Sequence, residues 1–266
     1  MQFFKAIILG IIQGLTEFLP VSSSGHLVLA GHFLDFQKPN ISFEIFLHFG
    51  SLLAVLIFFR KDIWSLLESL WHFQKTDETH TNNRKVVWFL LIATVVTGAI
   101  GLVLEDFFES IFSSIYLVAS MLLVTGIILF ISDKFNSQRF AMPKIGWKRS
   151  VIIGLGQSFA MFPGLSRSGT TIAVGIFSGL KREDAARFSF LLSVPAILGA
   201  NILKISELSQ LSAEYVPSYL GGAIAAFISG YAVISWLLKL VKKSKLKYFS
   251  YYCWLLAIIS IVIYSL

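Results

Sequence analysis

The chain is poor in charged residues and almost devoid of cysteine. Only 14% of its 266 residues are charged, against about 25% in an average soluble domain, which argues against an ordinary soluble protein. The single cysteine, Cys253, excludes an internal disulfide or a cysteine-rich metal site. It lies in an apolar segment, where we expect a buried thiol. The first residues carry Lys5 as their one early cation and no small-residue cleavage site, so we predict no signal peptide.

Long apolar stretches take the place of charge. Hydrophobic residues make up 56% of the chain, and its mean hydropathy is +0.76. A helix needs about 20 apolar residues to cross a bilayer. Charge-free runs of that order cover residues 86–104, 111–131, 218–238 and 248–266. We therefore predict an all-α, polytopic integral membrane protein in which residues 1–266 form a single membrane domain.

Two further apolar segments are interrupted by Pro, Ser and Gly, and they resemble each other. Residues 8–33 and 152–177 align without a gap and agree at 9 of 26 positions. Interrupted segments at matching positions of two halves are typical of inverted-repeat membrane proteins, whose site lies at the interruptions. We predict repeats at about 1–131 and about 145–266. Each would hold one re-entrant helical hairpin and three spans, giving six transmembrane helices and two hairpins.

The distribution of positive charge predicts the orientation. Of the 22 Lys and Arg residues, 18 fall within residues 60–85, 134–149, 181–187 and 239–247. By the positive-inside rule these connections are cytoplasmic. Because each repeat has an odd number of spans, the two hairpins then enter from opposite faces and point toward each other. The net charge of +7 is spread over these loops, so we expect no nucleic-acid partner.

The predicted hairpin tips carry side chains that are costly at membrane depth. Glu17 precedes the first tip, His26 follows it, and Arg167 lies in the second. Gln13 is four residues before Glu17, so the two share a helix face. After each tip a helix restarts, and its free N–H groups favour an anion. We therefore predict a phosphate site that includes Arg167. The other candidate ligands are hydroxyl and glycine residues of the two tips: Ser22, Ser23, Ser24, Gly25, Ser166, Ser168, Gly169 and Thr171.

Ordinary structural roles remain open for several of these residues. A salt bridge between Glu17 and Arg167 would be purely structural, and His26 fits an interior histidine with satisfied hydrogen bonds. His48 is interpreted as structural. The remaining alternatives are helix caps at Ser24 and Ser168 and close backbone approach at Gly25 and Gly169.

Two motifs in the tips resemble the signatures of a known family, the bacterial undecaprenyl-diphosphate phosphatases. They are QGLTEFLPVSSSGH at residues 13–26 and PGLSRSGTT at residues 163–171. Residues 43–54 and 188–200 are similar to the family as well, so the resemblance spans the chain. It implies an enzyme that removes the terminal phosphate from undecaprenyl diphosphate, recycles the lipid carrier for peptidoglycan synthesis and confers bacitracin resistance.

The resemblance also implies roles for particular residues. Glu17, Ser23, His26 and Arg167 match the family's functional positions, and the resemblance implies a divalent cation, Mg2+ or Ca2+. We expect Glu17, helped by Gln13, either to bind this cation or to orient His26. Gln13 stands where some members have Glu, which weakens any scheme that needs two carboxylates. Either Ser23 is the nucleophile with His26 as its base, or His26 is the nucleophile itself.

The resemblance places the protein in the bacterial inner membrane, with the site opening to the outer face. A homodimer is compatible with the sequence. The competing function is a carrier that moves polyprenyl phosphate across the bilayer, because inverted repeats with broken helices are common in transporters.

Overall fold

The computed structural model of the chain is built from α-helices. It describes residues 2–34, 41–72, 74, 77–111, 114–135, 139–205 and 212–265. The helices within these ranges are α1 (Gln2–Phe18), α2 (Ser23–Phe33), α3 (Ile41–Phe58), α4 (Arg60–Trp71), α5 (Glu78–Val103), α6 (Glu105–Ile111), α7 (Ile115–Lys134), α8 (Trp147–Phe159), α9 (Arg167–Phe177), α10 (Arg182–Leu203), α11 (Val216–Lys242) and α12 (Lys247–Ser265).

Within the described residues, five helices are long and apolar enough to cross a membrane. They are α5, α7, α10, α12, and α11 together with the short 3-10 turn before it. The helices α3 and α4 meet the same criterion as a pair, but the chain bends by 76° between them. The prediction of an all-α membrane protein is confirmed. The count of six spans and the inverted repeat stay predictions.

Some predicted connections are helical in the structure. Residues 181–187 were expected to form a basic loop, but α10 already begins at Arg182. Glu183 and Asp184 in its first turn favour this start, since acidic side chains stabilise the positive end of a helix. Residues 60–85 likewise contain α4 and the start of α5. The cation-poor connections that the charge pattern places on the outer side are residues 35–42, 105–110 and 204–217. Parts of the first and third, residues 35–40 and 206–211, lie outside the described residues, and the second is helical as part of α6.

The helices predicted on either side of each tip form, as α1–α2 and α8–α9, and the re-entrant course of the two pairs stays a prediction. Each second helix begins with a capping serine: the Gly25 N–H donates to Ser22 Oγ at 3.3 Å, and the Gly169 N–H donates to Ser166 Oγ at 3.0 Å. Such caps satisfy N–H groups that a helix start leaves unpaired. The cap interpretation given to Ser24 and Ser168 is therefore wrong, because the serine two positions earlier holds that role in each hairpin.

Small residues let α11 lie close to the first half of the chain. A Cβ added at Gly10 of α1 would lie 2.2 Å from the carbonyl oxygen of Gly222, and one added at Gly50 of α3 would lie 2.2 Å from that of Ala223. Close approach at small residues is how helices associate in lipid, where burial of apolar surface supplies little driving force. These contacts hold α1 and α3 against one helix and so fix the position of the first hairpin tip.

Aromatic side chains pack beneath the tips. Phe18, at the end of α1, makes an edge-on contact with Phe190 of α10, with ring centroids 5.8 Å apart. Phe59, after α3, lies 5.9 Å from the same ring. All three side chains are almost fully buried. This cluster ties the end of the first hairpin helix to the second half of the chain.

Candidate active site at the hairpin tips

The two hairpin tips touch each other. Ser168 Oγ donates to the carbonyl oxygen of Leu19 at 3.1 Å. A Cβ added at Gly169 would lie 3.1 Å from the ring of Pro20, and one added at Gly25 would lie 3.5 Å from Gly164. The glycines at the helix starts therefore stand where one tip approaches the other, which fits their predicted role in close backbone approach.

Glu17 forms the centre of this junction. Its side chain is only 6% exposed and pairs through Oε1 with Arg167 Nη2 at 2.5 Å. The other oxygen, Oε2, accepts hydrogen bonds from Ser23 Oγ at 2.6 Å and from Gln13 Nε2 at 3.0 Å. The shared face predicted for Gln13 and Glu17 is thus present. One buried carboxylate gathers donors from both hairpins, and the Glu17–Arg167 salt bridge that was held open as an alternative is formed.

The position of Arg167 suits the binding of an anion in addition to its salt bridge with Glu17. Arg167 is the first residue of α9, next to the N-terminal N–H groups of that helix. Its side chain is 18% exposed, so it is less buried than that of Glu17. A planar guanidinium at a helix N-terminus combines two elements that bind phosphate oxygens.

The remaining predicted phosphate ligands divide into two groups. The first group is Ser23 alone, whose hydroxyl is directed at Glu17. The second group bonds elsewhere: Ser24 with Ser22 at 3.2 Å, and Ser166 with Ser168 at 3.3 Å. Ser22 also has a positive φ of 69°, a conformation that costs about 1–3 kcal/mol and is often found at active sites. Thr171 bonds Ser189 Oγ at 2.6 Å. The structure therefore brings Ser23 closest to the acid, and it gives Thr171 a partner away from the tips.

His26 is engaged away from Ser23. Its Nδ1 lies 2.7 Å from the carbonyl oxygen of Ser22, and its Nε2 lies 2.7 Å from the hydroxyl of Tyr252. A carbonyl only accepts, so Nδ1 carries the proton, and in the neutral ring Nε2 accepts from Tyr252. The rings of His26 and Tyr252 are also parallel, 5.6 Å apart. Tyr252 was not anticipated from the sequence, because no motif links residues 226 positions apart.

His48 lies next to Glu17, although the sequence indicated only a structural role for it. Its Nε2 is 3.9 Å from Glu17 Oε2. Its Nδ1 lies 2.9 Å from the carbonyl oxygen of Glu44, one turn earlier on α3. The signal that pointed here was weak, namely that residues 43–54 resemble the family as a segment.

The donors at the tips fit a divalent cation bound through few protein ligands. Within the described residues, no group of three or more His, Cys, Asp or Glu side chains lies close enough to hold a metal by itself. However, Gln13 Oε1 is buried without a hydrogen-bond partner beside the Glu17 carboxylate. Mg2+ is commonly held by one or two carboxylates together with substrate phosphate oxygens. Glu17 and Gln13 match that pattern.

The fold and this site define a class: a polytopic helical membrane protein that holds an acid, a serine and an arginine where two hairpins meet. A family model described as "Bacitracin resistance protein BacA" matches residues 6–259. The undecaprenyl-diphosphatase of Methanobrevibacter smithii is 44% identical over 97% of this chain and 96% of its own length. That of Halothermothrix orenii is 41% identical over 99% and 98%, and that of Syntrophotalea carbinolica is 43% identical over 96% and 97%. The chain belongs to the BacA bacitracin-resistance family.

Proposed function

We propose that this protein is an integral membrane phosphatase that hydrolyses undecaprenyl diphosphate to undecaprenyl phosphate and inorganic phosphate. The curated relatives carry the name of that activity along their whole length. The observation that carries the proposal in this chain is the contact of Glu17 with both Ser23 and Arg167. This contact supports a scheme in which Ser23 is the nucleophile, Glu17 its base and Arg167 the cation that binds phosphate. The carrier function is not favoured by these names.

Binding of the terminal phosphate begins with Arg167. The guanidinium exchanges the Glu17 carboxylate for phosphate oxygens, and the N-terminal N–H groups of α2 and α9 add further donors. Phosphoryl transfer spreads negative charge over the oxygens of the moving group, so fixed positive charge at this point lowers the barrier. Arginine in this role contributes about 10³- to 10⁵-fold to rate in related chemistry.

Ser23 then attacks the terminal phosphorus. Its hydroxyl already donates to Glu17 Oε2 at 2.6 Å, so the carboxylate is the base that receives the proton. The bond between phosphorus and the bridging oxygen breaks, undecaprenyl phosphate leaves, and water hydrolyses the phosphoserine. This departs from the sequence-based scheme, in which His26 was the base. His26 supports the turn through Ser22 and Tyr252, and the rival scheme with His26 as nucleophile would first have to break the Tyr252 contact.

Mg2+ or Ca2+ would be held by Glu17 and Gln13 and would add positive charge at the diphosphate oxygens.

We also propose that the protein lies in the inner cell membrane with its basic connections in the cytoplasm and its site open to the outer face. Support comes from the 18 of 22 cations in four connections. Because the native Cys253 is fully buried, single cysteines introduced at Lys144 and Glu214 test the orientation by impermeant labelling. A homodimer is a further proposal, checked by mass measurement in detergent.

The central experiment measures phosphate release from undecaprenyl diphosphate by the purified protein in detergent. We expect Arg167→Ala to abolish release, and a phosphoenzyme trapped by acid quench to be acid-stable, as phosphoserine is. An acid-labile phosphoenzyme would instead assign the nucleophile to His26. A fully active Arg167→Ala protein would contradict both schemes. Lipid movement in sealed vesicles without phosphate release would identify a carrier.

A further inference from the structure

A cavity of about 820 Å³ lies between α5 and α10, next to the tip of the second hairpin. Gly98 of α5 and Ala196 and Gly199 of α10 form parts of its walls, and Met161 from the hairpin tip also lines it. This volume falls within the range of about 300–1,000 Å³ seen for cavities that bury most of a small ligand. The cavity is outside the cluster around Glu17 that carries the proposed chemistry.

Two glycines in its walls have no packing reason to be glycine. A Cβ added at Gly98 or at Gly199 would meet no atom within 4 Å. Both lie inside helices, where glycine costs about 0.5–1 kcal/mol relative to alanine. In contrast, the glycines of α1 and α3 described above are required by backbone atoms of α11. The open space at Gly98 and Gly199 is therefore a property of the cavity.

The cavity is connected to the acid cluster through α3. Glu44 lines the cavity, and its carbonyl oxygen lies 2.9 Å from His48 Nδ1. The other nitrogen of that ring lies 3.9 Å from Glu17 Oε2. One turn of a single helix thus separates the wall of the cavity from the residue beside the base.

We propose that this cavity holds the first isoprene units of the substrate while the diphosphate lies at the hairpin tips, an inference that rests on the proposed function. The volume suits a few isoprene units, so the rest of the chain would remain in the bilayer. The tail is already in an apolar medium before it binds, and the cavity therefore selects by shape and packing. Because Gly98 and Gly199 have no side chains, the cavity is wide enough at these positions for a methyl-branched chain. Binding of that chain in the cavity positions the diphosphate to which it is attached.

Photolabelling of the full-length protein tests the proposal. The probe is a prenyl diphosphate with a methylene group in place of the bridging oxygen, so that it is not hydrolysed, and a diazirine on the second isoprene unit. The variants are Gly98→Leu and Gly199→Leu, which extend into open space and so leave the fold intact. The matched control is Val95→Leu, on the same helix at a position 67% exposed on the outer surface.

We expect label in α5 and α10 at the cavity, reduced about tenfold by either leucine and unchanged in the control. The kcat/KM for undecaprenyl diphosphate should fall by a similar factor, equivalent to about 1.4 kcal/mol. Label on other helices, or label undiminished in both leucine variants, would overturn the cavity assignment even if the native protein releases phosphate. Equal labelling by a photoactivatable phospholipid, uncompeted by excess prenyl diphosphate, would assign the cavity to bilayer lipid and also overturn it. Cavity labelling without any phosphate release would leave the tail site standing and refute the phosphatase.

Discussion

Removing both partners of the Glu17–Arg167 salt bridge should restore most of the stability that a single substitution loses, but it should not restore activity. Arg167→Met leaves a carboxylate that is 6% exposed, with hydrogen bonds from the neutral donors Ser23 and Gln13 and with His48 3.9 Å away. Breaking a buried ion pair on one side costs about 3–5 kcal/mol, and replacing both partners by neutral groups is often nearly neutral. The two hydrogen bonds that remain to Glu17 place the cost near the lower end, at about 3 kcal/mol.

Glu17→Gln should cost less than Arg167→Met, because the guanidinium that it leaves behind is 18% exposed and reaches other partners more easily. The double variant should recover most of the loss, so the coupling energy should be at least as large as the loss in Arg167→Met alone, about 3 kcal/mol. Activity should not recover. All three variants lack either the base or the phosphate-binding cation, so each should lose about 10³-fold or more in phosphate release.

The assay is thermal unfolding in detergent together with phosphate release, measured for the native protein and the three variants. A loss of about 3 kcal/mol should lower the Tm of Arg167→Met by about 6 °C or more, and the double variant should return close to the native Tm. If the double variant is as unstable as the sum of the single variants, the two charges are not coupled. If it is active, the pair is structural and the site lies elsewhere.

Three other predictions follow from single contacts. Ser23→Ala should lower phosphate release about 10³-fold and should cost about 1.5–3 kcal/mol of stability, because Glu17 loses a hydrogen bond, whereas Ser24→Ala should lower release less than tenfold; equal losses of activity would refute Ser23 as nucleophile. Gly10→Ala would place its Cβ 2.2 Å from a carbonyl oxygen of α11 and should prevent recovery of folded protein, while Gly199→Ala, which meets nothing within 4 Å, should raise stability by up to about 1 kcal/mol; a native yield of folded Gly10→Ala, or a lowered Tm of Gly199→Ala, would contradict these contacts. Gln13→Glu supplies a second carboxylate and should lower the half-saturating Mg2+ concentration about tenfold; a metal titration with no change would remove Gln13 from the metal site.

The sequence predicts the class of the protein well, because the class depends on local patterns; the location of the site stays a prediction. Apolar length gives the membrane helices, and the interrupted segments give the two hairpins. The spacing of Gln13 and Glu17 gives a shared helix face, which their hydrogen bond confirms. The start of α10 was placed too late because the sequence Lys181–Arg182 was interpreted as part of a basic loop, while the acidic first turn that favours a helix start was overlooked.

The contacts that decide chemical roles were less accessible from the sequence. His48 reaches Glu17, and Tyr252 reaches His26, only because α3 and α12 pack beside the first hairpin. Their separation along the chain leaves no periodic signal. The capping serine was also misassigned, since Ser22 and Ser24 have the same chemistry and only backbone geometry distinguishes them. When several side chains of one type lie close together in the sequence, the sequence therefore does not indicate which of them has which role.

The two oxygens of the Glu17 carboxylate have different partners. Oε1 faces Arg167, and Oε2 faces Ser23 and Gln13. In the proposed mechanism, a phosphate that binds the guanidinium would release Oε1 while Ser23 and Gln13 still donate to Oε2, so the base would stay aligned with the nucleophile. The released oxygen would then be available to a divalent cation. Substrate binding and base alignment would thus use different atoms of the same side chain, and the neutral Gln13 suits this arrangement because its N–H donates to Oε2 without adding a second negative charge beside it.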